Sequence, residues 1–375
     1  MINEANKIIS VYSADTSGVC SALYELGGMT VIHDASGCNS SYTAHDEPRW
    51  YDMPSMMYVS GLTEYEAVMG DEEKFISDCV TTALEQSPKF IAICASPIPY
   101  MVGMDLKAVA KDIERRSNIP TLCVDTNGMH SYISGAGIAF REWAKRFVKP
   151  KTKTVENSIN ILGCIPLDYA TMEMVDDMVE SLESEGLRVN SVWSMGNLTE
   201  NMENSSSCMA NLVVSQTGLE TAKYMETKFG IPYVVGSPMG ERQSKEIARL
   251  LKKKKTSLVR RDNYGGKIAI VGEAVFANGL ANLIQEDCTV YSLIRDEENI
   301  LINGDEVLLG EKDLENHLKS FDTVIGDGLF ENLVNKNKTR FINVPDFAFS
   351  GRIYLNEFPS LLGKKGDEWL KEEKL

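Results

Sequence analysis

Several familiar signatures are missing from the chain. It has no Cys-x-x-Cys pair, no Gly-x-Gly-x-x-Gly fingerprint and no Walker A loop. The glycine-rich phosphate cradles of dinucleotide enzymes and P-loop ATPases are therefore not written into it. It also lacks His-Glu-x-x-His and Gly-x-Ser-x-Gly, the signatures of common zinc hydrolases and serine esterases. Histidine is scarce: His33, His45, His130 and His317 form no metal-binding spacing. Positive charge is in deficit, with 38 Lys and Arg against 54 Asp and Glu and a net charge of −16. Such a chain is a poor ligand for a phosphate backbone or an anionic bilayer, so no nucleic acid and no membrane are expected as partners. No apolar run is long enough to cross a bilayer, and Met-Ile-Asn-Glu-Ala-Asn-Lys at the start has no apolar signal core. Both features predict a cytoplasmic protein.

What is present is a globular composition: 375 residues, 43% hydrophobic and 25% charged, enough for two or three domains. Short apolar runs alternate with amphipathic stretches throughout. Phe90 to Cys94, Thr121 to Val124, Ile159 to Ile165, Asn211 to Ser215, Lys267 to Val271, Thr323 to Ile325 and Arg340 to Val344 read as buried strands. Glu73 to Gln86, Asp105 to Arg116, Ala136 to Val148, Met172 to Glu185, Leu219 to Phe229 and Leu280 to Glu286 read as helices. Alternation of this kind predicts parallel sheets with right-handed crossovers. Asn118-Ile119-Pro120 and Gly230-Ile231-Pro232 repeat one punctuation, a helix stop followed by entry into a strand. The basic stretches Lys149 to Lys153 and Lys252 to Asp262 read as solvated links. They divide the chain into α/β units at 1–150, 151–258 and 259–362, with a charged surface tail at 363–375.

The eight cysteines are scattered, so in a reducing compartment they are thiols or ligands, and each one's ordinary role is packing. One stands out. Met29 to Ile32 is an apolar run that breaks into His33-Asp34-Ala35-Ser36-Gly37-Cys38. Small residues let backbone N–H groups approach a sulfur and favour its thiolate. Cys38 is therefore a candidate thiolate ligand on a loop at a strand's carboxyl end, where α/β sheets place their sites. The alternative is a structural cysteine beside a turn. His45, Asp46, Glu47 and Arg49 follow, with Trp50 and Tyr51 behind; they read as a solvated loop or as the lining of a cavity or interface.

His33 to Cys38 resembles the His-Gly-x-x-Gly-Cys loop of the nitrogenase component 1 family. Other landmarks follow in that family's order: Gly61-Leu62-Thr63-Glu64 through Phe75, Ala95-Ser96-Pro97 leading to Gly103-Met104-Asp105-Leu106, Lys228 to Pro232, Asp327, and Val344-Pro345-Asp346 to Arg352. The resemblance implies three Rossmann-like α/β domains with parallel sheets around a central cleft. It implies an oxidoreductase component that takes low-potential electrons from an ATP-dependent iron protein, through an iron–sulfur cluster of the [4Fe-4S] type, and reduces a bound substrate. The cluster would lie at a subunit interface, in a homodimer or with a related partner chain. Of the family's three cysteine positions, Cys38 matches. The first falls near Tyr12 and Ser13 and the third on Pro97, with Cys20 and Cys94 as displaced candidates. The resemblance thus assigns Cys38, Cys20 and Cys94 to the metal, with Gly37 and Ser13 as cofactor contacts. Leu212 to Thr217 holds no cysteine and no histidine follows His317, so no molybdenum-iron cofactor and no dinitrogen reduction are expected. The missing ligands keep two alternatives open: a non-catalytic scaffold or carrier for a metal cluster or tetrapyrrole, and a cluster-free binding subunit.

Overall fold

The β-branched and apolar runs form strands that pair only in parallel among the described residues, in three separate sheets. The computed structural model describes residues 6–37, 47–51, 53–151, 153–196, 199–262, 264–294, 300–302 and 304–375. The first sheet has the order β2-β1-β3-β4, from β1 (Met29–His33), β2 (Met56–Val59), β3 (Ile91–Ala95) and β4 (Thr121–Val124). The second has the order β6-β5-β7-β8-β9, from β5 (Val155–Cys164), β6 (Arg188–Ser194), β7 (Cys208–Val213), β8 (Tyr233–Val235) and β9 (Ser257–Leu258). The third has the order β12-β11-β10-β13-β14, from β10 (Tyr264–Val271), β11 (Cys288–Ser292), β12 (Glu306–Val307), β13 (Thr323–Gly326) and β14 (Arg340–Asn343). Each order reverses once, at β1/β3, β5/β7 and β10/β13, and a doubly wound sheet opens its crevice at that point.

The helices follow the sequence closely where a cap is explicit. Glu73–Gln86 and Leu219–Phe229 have the expected bounds, and Asn118 and Gly230 end their helices in left-handed conformation. The helix expected from Leu280 begins earlier, at Ala274, because the Glu273 side chain accepts the Phe276 N–H and caps it. No helix among the described residues is long and apolar enough to cross a membrane.

Two segments expected at the surface are partly buried instead, and the N-terminal segment is anchored as well. The segment expected as a charged tail forms the helix Gly363–Glu373, which packs against Met172–Glu183 and Gly240–Lys252 through Trp369, 8% exposed. Its charges lie on the outer face, so composition alone concealed the anchor. In the second basic link, Arg261 is buried: it pairs with Asp305 and donates to the carbonyl of Cys288 inside the third unit. At the other end of the chain, Ile9 packs with Ala269, Val271 and Leu314 of the third unit before the chain crosses to the first.

The units share one core. Trp143 of the helix Tyr132–Phe147 meets Trp193 of β6 edge-on at 5.5 Å, and Phe140 meets the same ring at 5.8 Å. The tightest helix crossing joins Asp15–Leu23 to Tyr132–Phe147 at two glycines. A Cβ on Gly18 would lie 2.0 Å from the Tyr132 carbonyl oxygen, and one on Gly135 would lie 1.8 Å from that of Asp15. Both obstacles are backbone and cannot rotate away. Gly135→Ala should therefore lower stability by at least about 1–3 kcal/mol, the usual cost of overpacking. The urea midpoint is the measurement, and an unchanged midpoint would show that the helices can separate at no cost.

Candidate functional site

At the carboxyl end of β1 the chain is held by one side chain. Ser60 Oγ accepts the Asp34 N–H at 3.1 Å and donates to the Asp34 carbonyl at 3.2 Å. His33 Nδ1 shares a hydrogen bond with the same hydroxyl at 2.8 Å. The His33 ring stacks on Phe75 at 4.0 Å, and burial lowers its pKa to about 4. It is neutral at physiological pH. The Asp34 carboxylate accepts the Ser36 N–H at 3.1 Å, and Leu62 N–H donates to the Asp34 carbonyl at 2.7 Å. Gly37 is exposed. Cys38, His45 and Asp46 lie outside the described residues.

The chain past the Cys38 loop is not the solvated segment expected. Glu47 is 0% and Arg49 8% exposed. The Arg49 guanidinium donates to Glu47 at 2.6 Å, to Glu25 at 2.8 Å and to the Ser21 carbonyl at 2.8 Å, and it lies over the Tyr24 ring. The second unit joins through Ser194 and the Gly196 N–H, which donates to Glu25 at 2.7 Å; the third joins through Arg352, which donates to the Glu47 carbonyl at 3.1 Å. Two carboxylates thus meet one buried guanidinium in charge-assisted hydrogen bonds.

The other expected ligands do not form a site in the described chain. Cys20, on the helix Asp15–Leu23, and Cys94, in β3, are both 0% exposed within the same apolar core. Cys94 Sγ lies 3.8 Å from the Val31 carbonyl oxygen. Burial pushes both thiols up, the reverse of what a metal-binding thiolate requires. Ser13 Oγ donates to the Ala348 carbonyl at 3.0 Å, a bond that needs the proton a ligand alkoxide would have lost. Among the described residues no three His, Cys, Asp or Glu side chains come together as a metal site. These packed positions predict that Cys20 and Cys94 escape alkylation in the native protein at neutral pH and are labelled only on unfolding. Mass-spectrometric mapping under argon reads this directly, and native labelling of either would mean that its loop opens.

A cluster of buried and half-buried acids lies elsewhere, beyond the carboxyl ends of strands of the second and third sheets. Asp168 follows β5, Glu273 follows β10, Asp327 follows β13 and Asp346 follows β14. Tyr132 donates to Asp168 at 2.6 Å and Tyr12 to Asp346 at 3.0 Å. Glu273 accepts the N–H groups of Gln216 at 3.1 Å and Phe276 at 2.8 Å; Asp327 accepts those of Asp346 at 2.9 Å and Leu329 at 3.0 Å. Hydroxyls and backbone N–H groups thus satisfy the four carboxyls, and desolvation raises the pKa of each. Asp168, Glu273 and Asp346 line a cavity of about 20 Å³, room for one water. Sequence reasoning passed over Asp168 and Glu273. Their signal was available: an acid one to four residues beyond the carboxyl end of a buried parallel strand.

Comparison with known proteins agrees with this architecture. The chain resembles one polypeptide of the light-independent protochlorophyllide reductase of Zygnema circumcarinatum, with 27% identity over 192 residues, 48% of this chain and 37% of that protein. The corresponding polypeptide of Angiopteris evecta is 21% identical over 342 residues, 77% of this chain and 66% of that protein. The chain thus spans about a third to two thirds of the length of these relatives. A solved structure, "Nitrogenase Cp1 at pH 6.5", has the same fold, with a TM-score of 0.74 at 16% identity over 100% of this chain and 93% of that one. The family described as nitrogenase component 1 type oxidoreductase matches residues 17–263, about two thirds of the sequence, and the chain belongs to that family.

Proposed function

We propose that the chain is the substrate-reducing component of a nitrogenase-like system of the cytoplasm, acting on a substrate other than dinitrogen. It would receive low-potential electrons from an ATP-dependent iron protein through a [4Fe-4S] cluster that Cys38 helps to hold. The observation that carries this reading is the start of the Cys38 loop at the β1/β3 switch point, anchored before it by Ser60 and after it by Arg49. When bound, the cluster supplies one-electron transfer at low potential. The chain's own part is to fix the turn that leads up to Gly37 and the point at which the described chain resumes at Glu47. Relatives that reduce protochlorophyllide support a substrate other than dinitrogen.

Cys38 alone is too few ligands, since a cluster takes about four. We assign a second thiolate to Cys38 of a second copy of the chain, or to a related partner subunit, with further ligands still to come from outside these positions. The helix Glu64–Met69 has no buried residue, and it leaves Tyr65 68%, Val68 77% and Met69 63% exposed. The segment Pro97 to Val102 adds Tyr100 at 56% and Met101 at 79%. Both segments adjoin the carboxyl edge of the first sheet, and an apolar rim there suits an interface that keeps water from the loop. The burial of Cys20 and Cys94 favours a second reading, a cluster-free binding subunit.

Two measurements test this reading. Anaerobically purified protein should carry iron and sulfide with a cluster EPR signal, and Cys38→Ala should lose most of that iron while its thermal midpoint is kept. Cys20→Ala should retain it. Full iron in Cys38→Ala would end the ligand assignment, and iron-free wild type would favour the cluster-free reading. Analytical ultracentrifugation under argon should give a dimer. A monomer holding a full cluster would refute the shared site.

A further inference from the structure

Among the described residues, the buried hydroxyls of Ser21, Thr30, Ser96 and Thr221 have no hydrogen-bond partner. Ser21 and Thr221 lie inside the helices Asp15–Leu23 and Leu219–Phe229, and Thr30 lies inside β1. Ser96 differs in its place. It is 0% exposed and stands one residue beyond β3, at the β1/β3 switch point, where its N–H donates to the His33 carbonyl at 3.2 Å. A buried hydroxyl left unpaired destabilises the chain that carries it. One that is kept at a crevice points to a partner brought by a ligand.

The local sequence withholds the usual partner. Ser96 is the N-cap of the short helix Pro97–Met101, where a serine oxygen ordinarily accepts the N–H of the second or third helical residue. Here the third is Pro99, which has no N–H, and the Ser96 side chain caps nothing. The backbone before it is already spent: Thr126 Oγ1 accepts the Ala95 N–H at 3.0 Å and donates to the Ala95 carbonyl at 2.8 Å. The frame around Ser96 is nonetheless fixed. Asp15 accepts the N–H groups of Asn127 at 3.1 Å and Gly128 at 2.9 Å, and a Cβ on Gly128 would lie 2.4 Å from Pro97 Cδ. The loops after β3 and β4 are thus pinned to each other and to the start of the helix Asp15–Leu23. Along β3, Ala92 and Cys94 pack in the core that holds Cys20, while Ile91, Ile93 and Ala95 pack on the other face. Alternation makes Ser96 the next residue after Cys94 on the first face, so a hydroxyl follows the last apolar layer before the strand's carboxyl edge.

We propose that the Ser96 hydroxyl is a positioning donor for the iron–sulfur cluster: it gives its O–H to a sulfur of the cluster, orients it and raises its reduction potential. This rests on the reading that the β1/β3 switch point takes up a cluster. A hydrogen bond to a cluster sulfur favours the more negative, reduced state, so its loss lowers the potential. In the chain without iron the same hydroxyl has nothing to bond and subtracts from stability.

Full-length wild type, Ser96→Ala and Ser96→Thr would be compared in two states, as purified under argon and after removal of iron by a chelator. With iron, S96A should have a more negative midpoint potential than wild type. It should also lose an exchangeable-proton coupling that pulsed EPR detects in wild type by transfer to deuterium oxide. S96T keeps the hydroxyl and should follow wild type in both. After chelation, S96A should melt at or above the wild-type temperature, because the unpaired group is gone. Wild type that carries no iron as purified overturns the cluster reading and this proposal with it. Iron-loaded S96A with the wild-type potential and proton coupling overturns the donor alone. So does an S96A that fails to fold or that melts below wild type after chelation, since the hydroxyl then serves the chain itself.

Discussion

Parallel pairing is the constraint on which the rest of this structure depends. A parallel strand ends at one edge of its sheet and must cross over to begin again, so every carboxyl end in a sheet falls on the same edge. Wherever the winding reverses, two crossovers leave in opposite directions and a crevice remains between them. This chain has three such crevices. The first receives the loop leading to Cys38, and the second and third are turned toward each other. Placement of the polar chemistry follows from that geometry: His33, Asp34, Asp168, Glu273, Asp327 and Asp346 all lie at or just beyond the carboxyl ends of strands.

The two polar regions are built differently. Around the first switch point, hydrogen bonds specify one arrangement completely. Ser60 Oγ bonds the Asp34 N–H, the Asp34 carbonyl and His33 Nδ1. The facing switch points instead gather four carboxyls in a setting that desolvates them and supplies hydroxyls and amides. One edge thus holds a turn by its hydrogen bonds, and the other places four acids between units that share a core.

The exposed apolar side chains on Glu64–Met69 and Pro97 to Val102 contrast with the rest of the surface. Many large apolar residues are gathered into cores that run across unit boundaries, as with Trp143, Phe140 and Trp193. Other exposed apolar side chains are scattered, as with Leu84, Met129 and Ile353, whereas these two segments bring several together beside the first sheet's carboxyl edge. A segment with few buried side chains gains little from intramolecular packing, which is why its apolar residues point to a contact outside the chain.

The sequence by itself determined the class of fold, the alternation of elements and most of their bounds, because burial on both faces writes continuous apolar runs and caps write explicit stops. It also marked the His33 to Cys38 turn, where small residues interrupt such a run. Only tertiary structure decided which polar residues act together. Asp168, Glu273 and Asp346 lie in different units or beyond different strands, and no spacing rule connects them; the facing of two sheets does. Tertiary structure likewise took Cys20 and Cys94 into the core, buried Arg49, Glu47 and Arg261 in ion pairs, and docked the helix Gly363–Glu373. In each case composition reported charge or reactivity, while the fold supplied the partner that neutralised or covered the group.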